Sequence, residues 1–236
     1  LIMDGGFALI TGDPGLGKSV ALRLLSERFN QVGDFMGTEF TRPQSGLADF
    51  YRELGQLFGV DLKMSNKYGG FQKLREKWKE HMNKNLFRPV LLIDEAQEIH
   101  PCVLSELRLL SSTSFDSKII LTVVLGGDSR LIEKLQQPDL LPINSRIRTR
   151  LVLENYSREE LMILLTEALE RAGNPVLMTK GLMETMAEHS CGNPRAMMIA
   201  CGDLLMEASS RDLQQLTEDL YIKLHSSNEP IKKKKK

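Results

Sequence analysis

The most constraining stretch of this chain is FALITGDPGLGKS, residues 7–19. The apolar run Phe7, Ala8, Leu9 and Ile10 has the length of a buried strand, and Val20–Phe29 has helical periodicity. Between them stands the spacing G-x-x-x-x-G-K-S: Gly12, Asp13, Pro14, Gly15, Leu16, Gly17, Lys18 and Ser19. Glycines let backbone N–H groups curl round the β- and γ-phosphates of a nucleotide. The lysine neutralises their charge, and the serine hydroxyl ligates Mg²⁺. The helix that follows presents its positive end to the same anion. A chance Gly-rich turn does not account for the strand before the spacing and the helix after it. Residues 12–19, with Val20 next in line, are the candidate site for nucleotide phosphates.

A second apolar run ends in acid. Pro89–Glu95 reads PVLLIDE, as expected of a central parallel strand whose C-terminal end points at a ligand. Asp94 is placed to hold Mg²⁺, directly or through water, and Glu95 to polarise an attacking water. Further strands are expected at Asp34–Phe40, at Ile119–Leu125, where Gly126-Gly127-Asp128 closes the run, and at Arg150–Leu153. Helices are expected over Gly46–Leu57, capped by Ser45, and over Phe71–Asn83 after a polar connection holding Gly69-Gly70. Pro101–Ser111 and Arg130–Leu135 follow as helices, then a Pro-rich loop to Pro142. From Tyr156 the strand signals stop. Ser157 and Glu160 form a capping box that opens a helix to Ala172. Helices over Thr179–Ser190, Arg195–Ser209 and Asp212–Leu224 complete the chain, with breaks at Gly173-Asn174-Pro175 and Gly192-Asn193-Pro194. The expected plan is an α/β core with a parallel central sheet over residues 1–155, a small all-helical domain over 156–225 and a disordered basic tail over 226–236.

Composition adds bounds. Of 236 residues, 42% are apolar and 26% charged, the proportions of a soluble globular protein. No apolar run approaches the roughly 20 residues that span a bilayer. Three cysteines (Cys102, Cys191, Cys201), odd in number and without metal-ligand spacing, suggest a reduced, cytoplasmic interior, and the four scattered histidines make no convincing metal site. The 31 basic residues balance 31 acids, but five of the lysines are Lys232–Lys236, and the remainder carries −5. That lysine run reads as a solvated tail.

The chain resembles the AAA+ ATPases through GDPGLGKS, LLIDEAQE and the helical C-terminal part with Gly192-Asn193-Pro194-Arg195. LLIDEAQ, VVLGGDSRL and SRIRTRLVLENYSREEL look like the branch of ExeA, TnsC and MuB. RPQSGLADFYRELGQLFGV and LRLLSSTSFDS look most like the target-selecting ATPases that accompany transposases. The resemblance implies a P-loop AAA+ core with a helical lid, binding ATP and Mg²⁺ and hydrolysing ATP. It places Asp128 at the sensor 1 position, where an acid replaces the usual neutral polar residue. Arg195 matches the lid's sensor 2 arginine, although Gly192-Asn193-Pro194 also reads as an ordinary helix break and start. Arg146 is the best match to the finger that reaches a neighbouring subunit's nucleotide, with Arg148 and Arg150 as competitors. Catalysis would then be shared between subunits of a ring or helical filament.

The same resemblance implies an ATP-dependent assembly on nonspecific double-stranded DNA that recruits a transposase. Lys63, Lys67, Lys73, Arg75, Lys77 and Lys79 are the candidate phosphate contacts, sequence-tolerant and salt-sensitive. Glu76 and Glu80 share that helix, so an ordinary mixed-charge surface is the competing reading. Two alternatives stand beside transposition: an ExeA-type ATPase of a secretion or pilus-assembly system, and a nucleotide-dependent interaction scaffold with incidental hydrolysis.

Overall fold

The computed structural model describes residues 5–31, 36–40, 44, 46–62, 67–84, 88–113, 118–211 and 213–226. The chain divides into two units, Leu1–Leu153 and Glu154–Lys236.

The first unit is built on a parallel sheet. Its strands are β1 (Gly6–Gly12), β2 (Gly37–Phe40), β3 (Val90–Ile93), β6 (Thr122–Gly127) and β7 (Ile147–Leu153), in the spatial order β2-β3-β6-β1-β7. Between β3 and β6 come α4 (Pro101–Ser111) and an antiparallel pair, β4 (Ser112–Thr113) and β5 (Lys118–Ile119). Side chains alternate across the sheet with the period of two that strands impose. Phe7, Leu9, Leu91, Ile93, Val123 and Leu125 face the larger core, which is completed by α2 (Leu47–Leu57), α3 (Lys67–Lys84), α4 and α5 (Ser129–Leu135). Ala8, Ile10, Val90, Leu92 and Val124 face the other way, against Leu22, Leu25 and Phe29 of α1 (Lys18–Gln31). Helices on both faces of a parallel sheet are what strands apolar on both sides require.

The second unit has its own core. Here α7 (Arg158–Arg171), α8 (Lys180–His189), α9 (Pro194–Ser210) and α10 (Glu218–Ser226) bury Leu161, Leu165, Leu182, Met186, Met197, Leu204 and Leu220. The Ser157–Glu160 capping box opens α7, Thr179 caps α8, and Asn193 accepts from the N–H groups of Arg195 and Ala196 to open α9. Among the described residues no helix is long and apolar enough to cross a membrane.

Several local expectations need correction. Gly69 and Gly70 lie inside α3, not in a connection before it. The expected strand Ile119–Leu125 is split: Lys118–Ile119 pairs with Ser112–Thr113, and the central strand starts at Thr122 and runs through Gly126 and Gly127. The Pro-rich stretch before Pro142 is not a plain loop but a 3₁₀ turn, Pro138–Leu140, followed by α6 (Leu141–Asn144). β7 begins at Ile147, so Arg148 and Arg150 are strand residues. The last helix starts at Glu218, six residues after the expected Asp212. Gly46 occupies the N-cap of α2 without a side-chain cap, while Ser45 lies outside the described residues. So do Asp34, Lys63 and the tail from residue 227 onward.

Candidate functional site

Strand register brings the candidate residues to one edge. Thr11 lies level with Gly127 across β1 and β6, and Ile93 with Leu125 across β3 and β6. The phosphate loop, Asp128 and the Asp94–Glu95 pair therefore leave three adjacent parallel strands at their C-terminal ends. Ligands of open α/β sheets bind at such an edge.

The loop is shaped by its glycines. Gly17 has φ +100°, where a side chain would be strained whatever the space. At Gly12 the constraint is proximity instead: a Cβ there would stand 2.7 Å from the carbonyl oxygen of Leu153 in β7. Lys18 is only 6% exposed, and its ammonium donates to the carbonyls of Gly12 (2.8 Å) and Asp13 (3.0 Å). The lysine thus folds back along the loop whose phosphates it would neutralise. Asp13, Pro14, Ser19 and Val20 are exposed at the mouth, and Gly15 and Leu16 are buried beneath it.

Ser19 and Asp94 share one cavity of about 430 Å³, lined also by Leu22, Arg23, Glu39, Phe40, Leu92 and Glu95. A hydroxyl and a carboxylate on one cavity are the hard oxygen donors that Mg²⁺ takes alongside nucleotide phosphates. The donor set fits the ion and the loop fits its nucleotide. Glu39 and Arg23 were not singled out in the sequence, because strand β2 and helix α1 meet there only in three dimensions.

Glu95 is held unusually. Its backbone is left-handed, φ 50° and ψ 40°, where the chain turns from β3 into a 3₁₀ turn over Ala96–Glu98. Its carboxylate accepts from the side-chain amide of Gln97, whose oxygen accepts from the backbone N–H of Asp128 at 3.3 Å. Asp94 accepts from the N–H of Glu95 at 2.9 Å.

Asp128 is not a bare acid beside the phosphates. It caps α5 by accepting from the N–H of Arg130 (2.9 Å) and forms a 2.8 Å ion pair with the Arg130 guanidinium. That hydrogen-bonded guanidinium holds the Asp128 carboxyl below the usual carboxylate range, against an opposing effect of burial. The residue stays ionised but locally neutralised, so an acid at this position adds no bare negative charge. Arg130 also pairs with Glu98 at 3.2 Å. Gln97 and Arg130 fall within the stretches LLIDEAQ and VVLGGDSRL, but neither was given a role there, because their partners lie on other elements.

The arginine cluster lies elsewhere. Ile147 pairs with Phe7 and Leu153 with Gly12. Arg146 precedes Ile147, which sits at the far end of β1 from the phosphate loop, about 16 Å away at the usual 3.3 Å per residue. Its guanidinium donates to the Pro142 carbonyl at 2.5 Å, while that of Arg150 donates to Asn144. Arg148 and Arg150 are exposed on the edge strand. The three arginines are not brought to their own chain's phosphate loop. Arg195 is an exposed residue in the first turn of α9, in the second unit.

The basic helix is also rearranged. Arg75 lies 4.8 Å over the Phe71 ring and donates to the Ser112 carbonyl at 2.6 Å, and burial pushes its guanidinium down. It ties α3 to β4 and is half-buried, engaged within its own chain. Lys73, Lys77 and Lys79 are exposed, interleaved with exposed Glu76 and Glu80. Lys67 starts the helix, and its side chain lies outside the described residues.

Comparison with known proteins places this geometry. The family described as "AAA domain" matches residues 2–135. The chain is 31% identical over 212 residues to General secretion pathway protein A of Aeromonas hydrophila, covering 88% of this chain and 38% of that protein. Among solved structures it is similar to the Aeropyrum pernix ORC2 protein in its ADPNP-ADP complexes, with TM-score 0.68 and 18% identity, covering 97% of this chain and 64% of that one. The Thermotoga maritima RuvB Holliday junction branch migration motor gives TM-score 0.65 and 18% identity, covering 94% and 61%. At such identities the two structures speak for the fold alone. These likenesses favour the secretion alternative over the expected transposase regulator, for which they offer no support.

Proposed function

The chain belongs to the AAA domain family and has a P-loop AAA+ fold, and from that premise we propose that it is the ATP-driven module of a secretion-associated assembly. The loop 12–19 would take the phosphates of ATP with Lys18 neutralising their charge, and Ser19 and Asp94 would hold the Mg²⁺ that offsets charge on the phosphates. Glu95 orients and activates water for attack on the γ-phosphate. The observation that carries the nucleotide reading is the shared cavity of Ser19, Asp94 and Glu95 beside the loop. The secretion reading is supported by the 31% identity to General secretion pathway protein A. Because the chain spans 38% of that protein, its partners in any such assembly are part of the proposal.

Hydrolysis is completed by a second copy. Arg146 stands the length of β1 from its own phosphate loop, which suits a residue that serves a neighbour's nucleotide. Arg195, exposed in the first turn of α9, is carried forward as the sensor 2 arginine that the resemblance implies. Among the described residues of the DNA reading, Arg75 is engaged by Ser112, and Lys73, Lys77 and Lys79 are interleaved with Glu76 and Glu80, so protein partners are preferred.

Two measurements test this. Glu95→Gln should bind ATP as the wild type does while phosphate release falls at least a hundredfold; rapid turnover would remove Glu95 as the base. The second uses a chimera of the Aeromonas protein in which the matching region is replaced by this chain. Restored secretion in a strain lacking General secretion pathway protein A supports the reading. A stable chimera that restores none, together with ATP-dependent, salt-sensitive DNA binding by this chain, would overturn it.

A further inference from the structure

Gln97 has no part in the proposed reaction so far, yet its side chain links two residues of the site, Glu95 and Asp128. It is 7% exposed, in the 3₁₀ turn immediately after Glu95. A backbone N–H can only donate, so the Gln97 atom 3.3 Å from the Asp128 nitrogen is the amide oxygen. The amide nitrogen is then turned to the Glu95 carboxylate, where it donates to Oε2. No flip of the amide satisfies both partners. The orientation is reinforced by packing, since a Cβ on Gly127 would stand 2.7 Å from the Gln97 oxygen. The backbone is tied as well: Lys134 of α5 donates to the Gln97 carbonyl at 2.7 Å and to the Ile99 carbonyl. Arg130 of α5 adds its ion pair with Glu98 at 3.2 Å.

The Glu95 turn is therefore fastened to α5 by a side-chain amide, a lysine and an arginine. From α5 the chain runs through α6 into the segment carrying Arg146, whose guanidinium holds the Pro142 carbonyl. We propose that Gln97 is a positioning residue for ATP hydrolysis: its amide engages one oxygen of Glu95, leaves the other for water, and registers that carboxylate to α5. Movement of the Arg146 segment on contact with a second copy reaches the water-activating group through this amide. The inference rests on the reading of Glu95 as the water-activating group.

The test uses the full chain, with nucleotide affinity measured by a fluorescent ATP analogue and chemistry by single-turnover cleavage of ATP. Gln97→Leu should slow cleavage tenfold or more with the nucleotide Kd unchanged within twofold. It should add no further loss to Glu95→Gln, because a residue acting through Glu95 has nothing left to position. Hydrogen exchange at the Asp128 amide should accelerate in Gln97→Leu and not in Glu95→Gln, a readout independent of activity. Gln97→Glu keeps an acceptor for the Asp128 N–H and carries the test if the leucine variant fails to fold. Wild-type cleavage in the Gln97 variants overturns the inference. So does an equal further loss in the Glu95→Gln background, or a matching loss of nucleotide affinity. If Glu95→Gln itself cleaves like wild type, the reading of Glu95 fails first and the inference with it; a slow Glu95→Gln beside a fast Gln97→Leu sinks the inference alone.

Discussion

Lys18→Met tests the phosphate loop with a magnitude set by its geometry. The ammonium has three donors, and the carbonyls of Gly12 and Asp13 take two of them at 2.8 and 3.0 Å. One donor and a unit charge are left for an incoming phosphate. A charge-assisted hydrogen bond contributes about 1.5–3 kcal/mol, and unit charges about 4 Å apart attract by about 4 kcal/mol at an effective dielectric of ~20. The two figures describe overlapping parts of one contact, so the loss lies near 3–4 kcal/mol, roughly two to three orders of magnitude in Kd. Methionine keeps the length of the stem in a site only 6% exposed. The two abandoned carbonyls are expected to cost about 1–2 kcal/mol of stability, which a thermal melt reads separately. Affinity is measured by titrating a fluorescent ATP analogue in the presence of Mg²⁺. A folded variant that binds within threefold of wild type would refute the assignment of Lys18 to the phosphates.

Gly12→Ala places a methyl 2.7 Å from the Leu153 carbonyl and 2.9 Å from its Cβ, so β7 must move from β1. A loss of about 1–3 kcal/mol is expected, and a melt superimposable on wild type would refute the close approach. Asp128→Ala should cost about 1 kcal/mol as α5 loses its cap, with Asp128→Asn recovering most of it; equal stabilities in urea would show that the cap contributes nothing. Burial pushes the Cys201 thiol from 9.0 up to about 11. The native second unit then keeps a proton that the unfolded chain releases, so its stability is intact below about pH 9 and falls as pH rises toward 11, by at most about 1.4 kcal/mol per pH unit. Tyr221, raised by burial and by its proximity to Cys201, adds to the fall at the upper end. Cys201→Ala should flatten the slope between pH 9 and 10 in chemical denaturation, and an unchanged slope would refute the assignment.

What the sequence determined by itself is local chemistry. The phosphate loop was legible because its glycines, lysine and serine act within eight consecutive residues. The Ser157 capping box and the Asn193-Pro194 helix start were legible for the same reason: donor and acceptor lie within one turn. The run VLLI ending in Asp94 and Glu95 gave a parallel strand with an acidic C-terminal edge, since burial on both faces leaves no polar residue until the end.

What only the tertiary structure decided depends on partners distant in the chain. Gly69-Gly70 reads as a break, yet α3 continues through it. Two glycines cost about 1 kcal/mol each in a helix, and burying Leu74 and Trp78, both fully enclosed, outweighs that. One apolar run became β5 and β6 because hydrophobicity does not reveal which strand each half will meet. Arg75 looked like its lysine neighbours until Ser112 and Phe71 closed on it. Asp128 became a locally neutralised cap through Arg130, and Gln97 gained its role through a backbone nitrogen 31 residues away. Periodicity and motif spacing encode contacts along one element. The hydrogen bonds that tune this site cross between β3, β6 and α5, and they exist only once those elements are packed together.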